Sequence, residues 1–527
     1  MSGCSERFDE IIKAVGSLGK FQKKQIIFVI VPYILIYAFL MNYVFVLATP
    51  DHWCRIPGRE LTNLTIKEWK ERHIPLSKEL GGQKEFSKCK MYKNPDLKND
   101  TIYCTDGWEY SQESYLETAV TSYDWVCDKK KTVTLTLVLT YLAQAFSSVI
   151  FGPAMDYIGR KAVFLLIVVV WIVFGNAALF ANNPIVFMIL WFLKNLMHPA
   201  CQTALIVLYT ELAVPEHRSY LQLITLLTWP VAMSIMTFIA WFFEGHFVHT
   251  GLATTLPLAY FLCLFKFIPE SPRWLAAKGR VDEAEEIIIQ IAKENNKPVP
   301  KDLRTLLQVD EKVKAKIGVF TLFLYNKQRW RMLAIMLTNA AAVIIYFGVI
   351  VNTGINSGNI YLDFFLLSIF EIPGYVFATW LMNTIGRRLS TFALLVMSAI
   401  SCIGLAFIPT NIAWVVLVFS IIAKFAAVGL FLTISMHQLE IFPTAYRSTA
   451  LTPAVILART SNIIVPLLVD LKDINPILPF LCIAIFPIVA APLHLIVPET
   501  IGKSLPQTID EAEEFGEDQK FWSLNVK

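Results

Sequence analysis

Twelve apolar runs, most of them near or above the length that crosses a lipid bilayer, recur along nearly the whole chain. About 18 apolar residues suffice for one helical crossing. The hydrophobic content of 55% and the charged content of 17% also depart from those of soluble domains. We therefore predict an all-α membrane protein with twelve transmembrane helices. The runs cover residues 26–48, 132–152, 163–180, 185–208, 221–242, 252–268, 332–351, 361–381, 391–408, 412–434, 450–469 and 478–497.

Basic residues indicate how the runs are oriented. Cytoplasmic loops are rich in Lys and Arg, and here short basic loops alternate with loops that have almost none, such as residues 352–359. Both termini are therefore expected in the cytoplasm. Residues 1–24 are polar and lack a cleavable secretory signal, so the first run is expected to remain as a helix. The basic positions are Lys23-Lys24, Arg160-Lys161, Arg218, Arg387-Arg388 and Arg447.

The long loop at residues 50–131 follows the first run and is predicted to be extracellular. It contains both glycosylation sequons of the chain, which begin at Asn63 and Asn99. It also contains four cysteines, and in an oxidising compartment these predict two disulfides with three pairings that the sequence cannot separate. The four are Cys54, Cys89, Cys104 and Cys127.

A second long segment, residues 269–331, divides the runs into six and six and is predicted to be cytoplasmic. Its stretch SPRWLAAKGRVDEAEEIIIQIAKEN begins with a helix-start signal and continues with mixed charge, which favours a solvated or membrane-surface helix. The predicted organisation is a cytoplasmic N-terminus (1–25), a first half (26–268), the central linker (269–331), a second half (332–497) and a cytoplasmic C-terminal tail (498–527).

An internal repeat relates the two halves. DYIGRK at 156–161 recurs as NTIGRR at 383–388, Glu211 and Arg218 recur as Glu440 and Arg447, and Pro269-Glu270 recurs as Pro498-Glu499. The offset is nearly the same for all three pairs, which predicts two homologous six-helix halves. Parallel halves of this kind place a substrate site near the midplane of the bilayer.

The repeated charged turn predicts a cytoplasmic gate. In GPAMDYIGRK, Gly152 permits close helix packing and Gly159 a tight turn, so that Asp156 and Arg160 can form ion pairs with neighbouring helix ends. The alternative is that the basic residues only anchor helix ends to lipid phosphates. The predicted gate consists of Gly152, Asp156, Gly159, Arg160, Lys161, Glu211 and Arg218 in the first half and Gly386, Arg387, Arg388, Glu440 and Arg447 in the second.

These motifs resemble those of the major facilitator superfamily, although Ala154, Tyr157 and Asn383 depart from its usual pattern. More specifically, the chain resembles the family of organic cation, carnitine and organic anion transporters. The resemblance implies the major facilitator fold and a carrier function. Its motifs are DWVCDKK at 124–130, PESPRWL at 269–275, YFG at 346–348, EIPGY at 371–375, EIFPTAYRS at 440–448 and LPQTIDEAEEF at 505–515, of which PESPRWL is shared with sugar porters.

Two opposite charges inside the predicted membrane region suggest a binding site, because charges there are costly and usually functional. The resemblance places Glu371 at the central cavity, and a salt bridge to Lys424 is the alternative. The resemblance also bears on Arg459, because an arginine at this position is typical of the family's carriers of anions and carnitine. Arg459 could instead have a packing role, or it could neutralise Glu371 in the empty protein.

Aromatic residues complete the predicted site. The resemblance places Tyr346 and Phe347 at the cavity, where a ring face can attract an ammonium group, and Tyr43 is a further candidate. Lys194 and Lys424 are interpreted as structural, because the family has a basic residue there whatever it carries. His437 replaces an aromatic residue common in the family and raises the question of pH-sensitive transport.

The sequence therefore predicts a plasma-membrane carrier for small organic ions that works by alternating access. Zwitterions or cations such as carnitine-like amines are the expected substrates, with organic anions as the alternative and a sugar-porter-like carrier as a more distant one. Gly502-Lys503-Ser504 lacks the preceding glycine of a phosphate-binding loop. No enzymatic activity, cofactor, metal or nucleic-acid partner is expected. Na⁺ symport, proton exchange, organic-ion exchange and uniport all fit the sequence.

Overall fold

The computed structural model contains a helical membrane bundle. It describes residues 8, 10–16, 19–58, 64–78, 84–98, 100–212, 215–264, 268–300, 302–307, 321–352, 359–408, 412–442, 447–501, 506, 509–517 and 519. Among these residues, nine helical spans are long and apolar enough to cross a membrane by length and composition. Three further helices lie at the positions of the other predicted runs, which agrees with the predicted twelve-helix fold.

In the first half, the described residues form nine α-helices, some of them short helices in the segment that follows the first run. They are α1 (Lys20–Met41), α2 (Tyr43–Val46), α3 (Ile66–His73), α4 (Ala119–Ser122), α5 (Lys131–Ile158), α6 (Arg160–Leu179), α7 (Pro184–Thr210), α8 (Pro215–Phe242) and α9 (Phe247–Leu264). Within this half, α7 packs against α5 and α6, and α1 packs against α8 and α9. Asn42 separates α1 from α2 and has no exposed surface.

The linker and the second half contain the remaining helices. They are α10 (Pro272–Ala277), α11 (Val281–Glu294), α12 (Leu303–Leu307), α13 (Asn326–Asn352), α14 (Ile360–Ile369), α15 (Glu371–Ile385), α16 (Arg387–Phe407), α17 (Ala413–Ile441), α18 (Arg447–Ser461), α19 (Ile464–Asp470), α20 (Leu478–His494) and α21 (Ile509–Glu514). Contacts between the halves are made chiefly by α8 with α14 and by α5 with α18 and α19.

Two of the membrane spans in the second half are interrupted, and each interruption precedes a proline. Phe370 separates α14 from α15, where Pro373 cannot donate a backbone hydrogen bond to the carbonyl of Ile369. Asn462 and Ile463 separate α18 from α19, where Pro466 likewise cannot donate to Asn462. The Asn462 carbonyl instead accepts from the Val465 amide at 3.1 Å.

A small disulfide-bonded domain at residues 50–131, here called the cap domain, covers one end of the bundle. Its strands are β1 (His52–Cys54), β2 (Leu76–Lys78), β3 (Lys84–Phe86), β4 (Lys90–Tyr92), β5 (Thr101–Tyr103) and β6 (Trp108–Tyr110). They form three antiparallel pairs, β1 with β6, β2 with β3 and β4 with β5. Disulfides join Cys54 to Cys104 and Cys89 to Cys127, with Cα–Cα distances of 5.1 and 5.7 Å.

The cap domain is hydrogen-bonded to both halves. The Leu116 amide donates to the carbonyl of Glu244 at 2.8 Å, and the Phe247 amide donates to the carbonyl of Glu117 at 3.0 Å. From the second half, the Tyr361 hydroxyl donates to the carbonyl of Ser114 at 2.5 Å. The cap is therefore held against the end of the bundle.

The opposite end, here called the tail side, carries the linker helices. Helix α11 buries Ala284, Ile288 and Ile291 in an apolar cluster with Phe8 and Ile12 of the N-terminal segment. Its other face carries the charged residues. The apolar face of α11 thus packs against the N-terminal segment. From the sequence, this helix is expected to be solvated or to lie at the membrane surface.

The disulfide pairing can be tested by single cysteine substitutions. Cys54→Ser should release the thiol of Cys104 and leave Cys89 joined to Cys127, as read by non-reducing peptide mass spectrometry. A membrane-impermeant maleimide applied to intact cells should then label the variant but not the unsubstituted protein. A free thiol at Cys89 or Cys127 in this variant would contradict the pairing, and absence of labelling would contradict an extracellular cap.

Candidate functional site

Four side chains form a connected polar chain between the two halves. The Lys424 ammonium lies 2.6 Å from the Oε1 atom of Glu371. The same oxygen accepts a hydrogen bond from the Tyr346 hydroxyl at 2.8 Å, and that hydroxyl accepts from Trp229 Nε1 at 2.5 Å. Glu371 is 0% exposed and Lys424 is 1% exposed. We call Trp229, Tyr346, Glu371 and Lys424 the central chain.

The EIPGY segment explains how Glu371 reaches Lys424. Glu371 is the first residue of α15 and follows Phe370, whose backbone is also helical, so the span continues through the interruption. One turn on, Gly374 lets α17 approach closely, because a Cβ atom there would lie 2.8 Å from Val428 Cγ2 and 3.2 Å from the carbonyl oxygen of Phe425. The glycine thus brings the helix that carries Lys424 against the helix that carries Glu371.

Arg459 lies at the other interrupted helix. It is in the last turn of α18, and the Asn462 amide donates to its carbonyl at 3.3 Å across the start of the interruption. Its Nε atom is buried without a hydrogen-bond partner. Within the described part of the chain, Arg459 has no carboxylate at ion-pair distance. Tyr37 and His198 are close enough to interact with its charge.

Aromatic rings connect Arg459 with the central chain. The ring of Tyr37 lies 4.7 Å from that of Trp229, edge to face, and the ring of Trp229 lies 6.2 Å from that of Tyr346. The Tyr37 hydroxyl also accepts from Gln202 Nε2 at 2.9 Å. A continuous aromatic wall from the first half therefore faces the charges of the second half.

A second aromatic group leads toward the cap domain. The hydroxyl oxygens of Tyr43 and Tyr141 are 3.3 Å apart, and the ring of Tyr141 lies 5.9 Å from that of Phe347. Phe347 in turn lies 5.1 Å from Tyr346, edge to face. Tyr43 also borders a cavity of about 790 Å³ beneath the cap domain, which residues of both halves line.

Charged groups line this cavity at the cap. Lys88 lies 3.2 Å from Asp51, and the Lys70 ammonium lies 3.2 Å from the centroid of the Trp53 ring. Burial lowers the pKa of the Lys70 ammonium and is the main cause of its shift. His52 also lines the cavity, and burial lowers its pKa as well.

His52 lies close to the sulfur atoms of Cys89 and Cys127, at distances that could suit a metal ion. Those two cysteines are joined in a disulfide, so neither provides the thiolate that binds a metal. This group therefore does not offer a set of metal ligands in the oxidised protein.

Two further polar side chains lie in α7 beside the aromatic wall. The Lys194 ammonium lies 4.0 Å from the ring centroid of Trp191 and 4.2 Å from that of Phe39, so cation–π contact stabilises a charge that is 1% exposed. His198 is 2% exposed, and neither ring nitrogen has a hydrogen-bond partner. His198 interacts electrostatically with both Lys194 and Arg459.

The predicted binding residues thus fall into one region. Glu371 and Tyr346 are in direct contact, Phe347 and Tyr43 are linked through Tyr141, and Arg459 is reached through other aromatic residues. The alternative of a Glu371–Lys424 salt bridge is present. Sequence reasoning missed the wall residues of the first half, whose only signal was a polar or aromatic side chain inside an apolar run. They are Tyr37, Tyr141, His198, Gln202 and Trp229.

On the tail side, equivalent ion pairs occur in the two halves. Arg160 NH2 lies 3.2 Å from Oε1 of Glu211, and Arg387 Nε lies 3.0 Å from Oε2 of Glu440. The surroundings of Gly152 and the side chains of Asp156, Arg218 and Arg447 lie outside what the structure describes, as do Asn63 and Asn99 of the predicted sequons.

The repeated Pro-Glu pairs cap the helices of these turns. Glu270 accepts from the amides of Arg160 and Lys161 at 3.1 to 3.2 Å. Glu499 accepts from the amides of Arg387 and Arg388 at 2.8 and 2.9 Å. Each carboxylate therefore satisfies the first amides of α6 or α16, as anions at helix N-termini do.

The glycine of each turn is required for this capping. Gly159 has φ 120° and Gly386 has φ 89°, a region that favours glycine. A Cβ atom at Gly159 would lie 2.6 Å from Glu270 Oε2, and one at Gly386 would lie 2.3 Å from Glu499 Oε2. The IGR motif is thus a carboxylate-capped helix start that occurs once in each half.

Two helical halves around a charged central site, with equivalent capped turns on one side, define a carrier of the major facilitator class. The family model described as "Sugar (and other) transporter" matches residues 88–511. This chain belongs to that family.

Solved structures agree with this fold. The xylose transporter of E. coli, in a partially occluded inward-open conformation, superposes with a TM-score of 0.57 at 15% identity over 91% of this chain and 99% of that one. The proton:xylose symporter bound to 6-bromo-6-deoxy-D-glucose gives a TM-score of 0.56 at 17% identity over 94% and 100%.

Sequence relatives confirm the resemblance to organic cation and carnitine transporters. Organic cation transporter 1 of Caenorhabditis elegans is 29% identical over 97% of this chain and 89% of its own length. Organic cation/carnitine transporter 2 of Homo sapiens is 28% identical over 96% and 93%. The beta-alanine transporter of Drosophila melanogaster is 26% identical over 96% and 89%.

Substitution of Gly386 tests the capped turn. Gly386→Ala should lower the stability of the purified protein by about 1–3 kcal/mol, because it combines positive-φ strain with a collision against Glu499. Gly279→Ala is the matched control, since Gly279 has φ +77° but no atom within 4 Å of its added Cβ. Thermal unfolding in detergent measures both, and equal losses in the two variants would contradict a role for close approach by Glu499.

Proposed function

We propose that this protein carries small organic ions with a carboxylate group across the plasma membrane, and that carnitine-like zwitterions are its preferred substrates. The supporting observation is the difference between the two membrane charges. Lys424 already neutralises Glu371, whereas Arg459 has no carboxylate partner within the described part of the chain. The unneutralised charge at the site is therefore positive.

The other charges of this region agree with a carboxylate ligand. Lys194, Lys424 and Arg459 are basic, and Glu371 is the acidic member of the central chain. A guanidinium can hold a carboxylate through two parallel hydrogen bonds, a geometry that an ammonium cannot copy. Arg459, whose Nε lacks a partner, is thus assigned to the substrate carboxylate.

The amine end of the substrate is assigned to the central chain. Tyr346, Phe347 and Trp229 offer ring faces, and Glu371 offers a carboxylate beside them. The Lys424 ammonium lies 5.0 Å from the centroid of the Tyr346 ring, so an incoming ammonium would compete with Lys424 for the same ring and carboxylate. Exchange of one cation for another keeps Glu371 neutralised, which limits the cost of burying it.

Alternating access supplies the transport cycle of this proposal. The cavity beneath the cap leads from that side to Tyr43, while the Arg160–Glu211 and Arg387–Glu440 pairs are formed on the tail side. We assign the cap side to the exterior and both termini to the cytoplasm. The tail-side pairs then belong to the gate, which also includes Asp156, Arg218 and Arg447 and breaks when the site opens inward.

Two relatives carry names that fit this substrate class. One is named for organic cations and carnitine and another for β-alanine, and both carnitine and β-alanine carry a cationic nitrogen and a carboxylate. Organic anions are the second candidate, because Arg459 would meet their carboxylate equally well while Glu371 stays paired with Lys424.

Charge substitutions test this assignment. Arg459→Gln should lower the uptake of a labelled zwitterion by about 10- to 100-fold, since it removes a charge-assisted hydrogen bond to the carboxylate. Arg459→Lys should recover little, because it lacks the paired donors. Arg304→Gln is the matched control, since Arg304 is 64% exposed and pairs with the exposed Asp282. Zwitterion uptake by Arg459→Gln at the control rate would contradict the assignment.

The role of Glu371 needs a paired substitution. Glu371→Gln alone leaves Lys424 buried without its carboxylate, which costs about 3–5 kcal/mol and can prevent folding. In Glu371→Gln with Lys424→Gln, both charges are removed together. This double variant should transport a simple carboxylate as the unsubstituted protein does, but it should lose the preference for a zwitterion. An unchanged preference would show that the amine binds elsewhere.

A further inference from the structure

Two buried histidines of the second half form a hydrogen-bonded pair apart from the central chain. His437 lies in α17 and His494 at the end of α20, and both are 0% exposed. His437 Nδ1 lies 3.2 Å from His494 Nε2. The pair is extended at both ends, since His437 Nε2 lies 2.8 Å from the carbonyl oxygen of Pro498 and His494 Nδ1 lies 3.2 Å from Thr338 Oγ1.

With two ring protons in total, every nitrogen of the pair has a partner. A carbonyl can only accept, so His437 Nε2 carries a proton in any arrangement that keeps the Pro498 bond. In the neutral form His437 Nδ1 then accepts from His494 Nε2–H. His494 Nδ1 is left as an acceptor, and the Thr338 hydroxyl can donate to it.

With a third ring proton, every nitrogen again has a partner. Thr338 Oγ1 also lies 2.7 Å from the carbonyl oxygen of Ala334, so its hydroxyl can donate there instead. Thr338 then accepts from His494 Nδ1–H, and His494 Nε2 accepts from His437 Nδ1–H. The added proton is accommodated by rotating one hydroxyl and reversing one hydrogen bond, without a buried group losing its partner.

We propose that His437 and His494 together form a binding site for one proton, which couples the tail-side turn of the second half to pH. The coupling runs through the segment that follows α20. His437 donates to the carbonyl of Pro498, and the next residue, Glu499, caps α16. Thr500 donates to Glu440, the ion-pair partner of Arg387.

The groups facing the pair include both signs of charge. His437 faces the carboxylates of Glu499 and Glu440 and the guanidinium of Arg387. His494 faces the guanidinium of Arg388 as well as the ring of His437. The His437–Pro498 bond becomes charge-assisted when the pair is protonated and so holds residues 498–500 more firmly. Protonation is thus expected to stabilise the closed tail-side turn. Its effect on transport rests on the proposed carrier function.

Proton binding can be measured without any substrate. Purified protein labelled with ¹⁵N-histidine and placed in lipid nanodiscs should show two imidazoles that titrate together over one transition between roughly pH 4 and 7. His437→Gln and His494→Gln assign these signals, and each substitution should abolish the joint transition. Independent titration of the two rings, or no titration of either over that range, would overturn the proposal.

Thr338 provides a matched pair of variants for the same measurement. Thr338→Val removes a charge-assisted bond from the protonated pair and a weaker bond from the neutral pair, so the midpoint should fall by about one pH unit. Thr338→Ser retains the hydroxyl and should leave the midpoint unchanged. Equal midpoints in the Val and Ser variants would contradict the role of the hydroxyl. A joint transition without pH-dependent uptake would retain the proton site but exclude its coupling, independently of the assignment of Arg459.

Discussion

The buried Glu371–Lys424 ion pair is the constraint on which the account of the site depends. Two unit charges inside a membrane bundle are costly to desolvate, and removal of either one leaves the other uncompensated. Two local features of the sequence offset this cost: the Tyr346 hydroxyl donates to the Glu371 carboxylate, and Gly374 lets the helix of Lys424 approach closely. Because the two charges of this pair cancel, Arg459 determines that the site attracts a negatively charged group of the ligand.

The two halves contribute different chemistry to this region. The second half carries Glu371 and Arg459 beside interruptions that precede Pro373 and Pro466. Discontinuous helices at membrane depth are a recurring way to place ion-binding groups. The first half faces them with rings, chiefly Tyr37 and Trp229. An asymmetric ligand with a charged group at each end suits such a site better than a symmetric one.

Much of the fold could be predicted from the sequence, because its signals are local or repeated. The apolar runs predict the spans, and the Pro-Glu and IGR repeats predict two halves. The pairing of four cysteines could not be predicted, since it depends on how three short strand pairs meet in the cap. The choice of Lys424 over Arg459 as partner of Glu371 also depends on helix packing, here at Gly374. Trp229 could not be distinguished from the many lipid-facing aromatic residues.

The central claim is that the site recognises a carboxylate through Arg459 and accepts an amine only alongside it. Its most direct test is the affinity of the unsubstituted protein, in nanodiscs, for three ligands of one carbon skeleton: the zwitterion, the amine without the carboxylate and the carboxylate without the amine. We expect the zwitterion to bind most tightly, the simple carboxylate next and the simple amine least. An amine that binds as tightly as the zwitterion would contradict the claim.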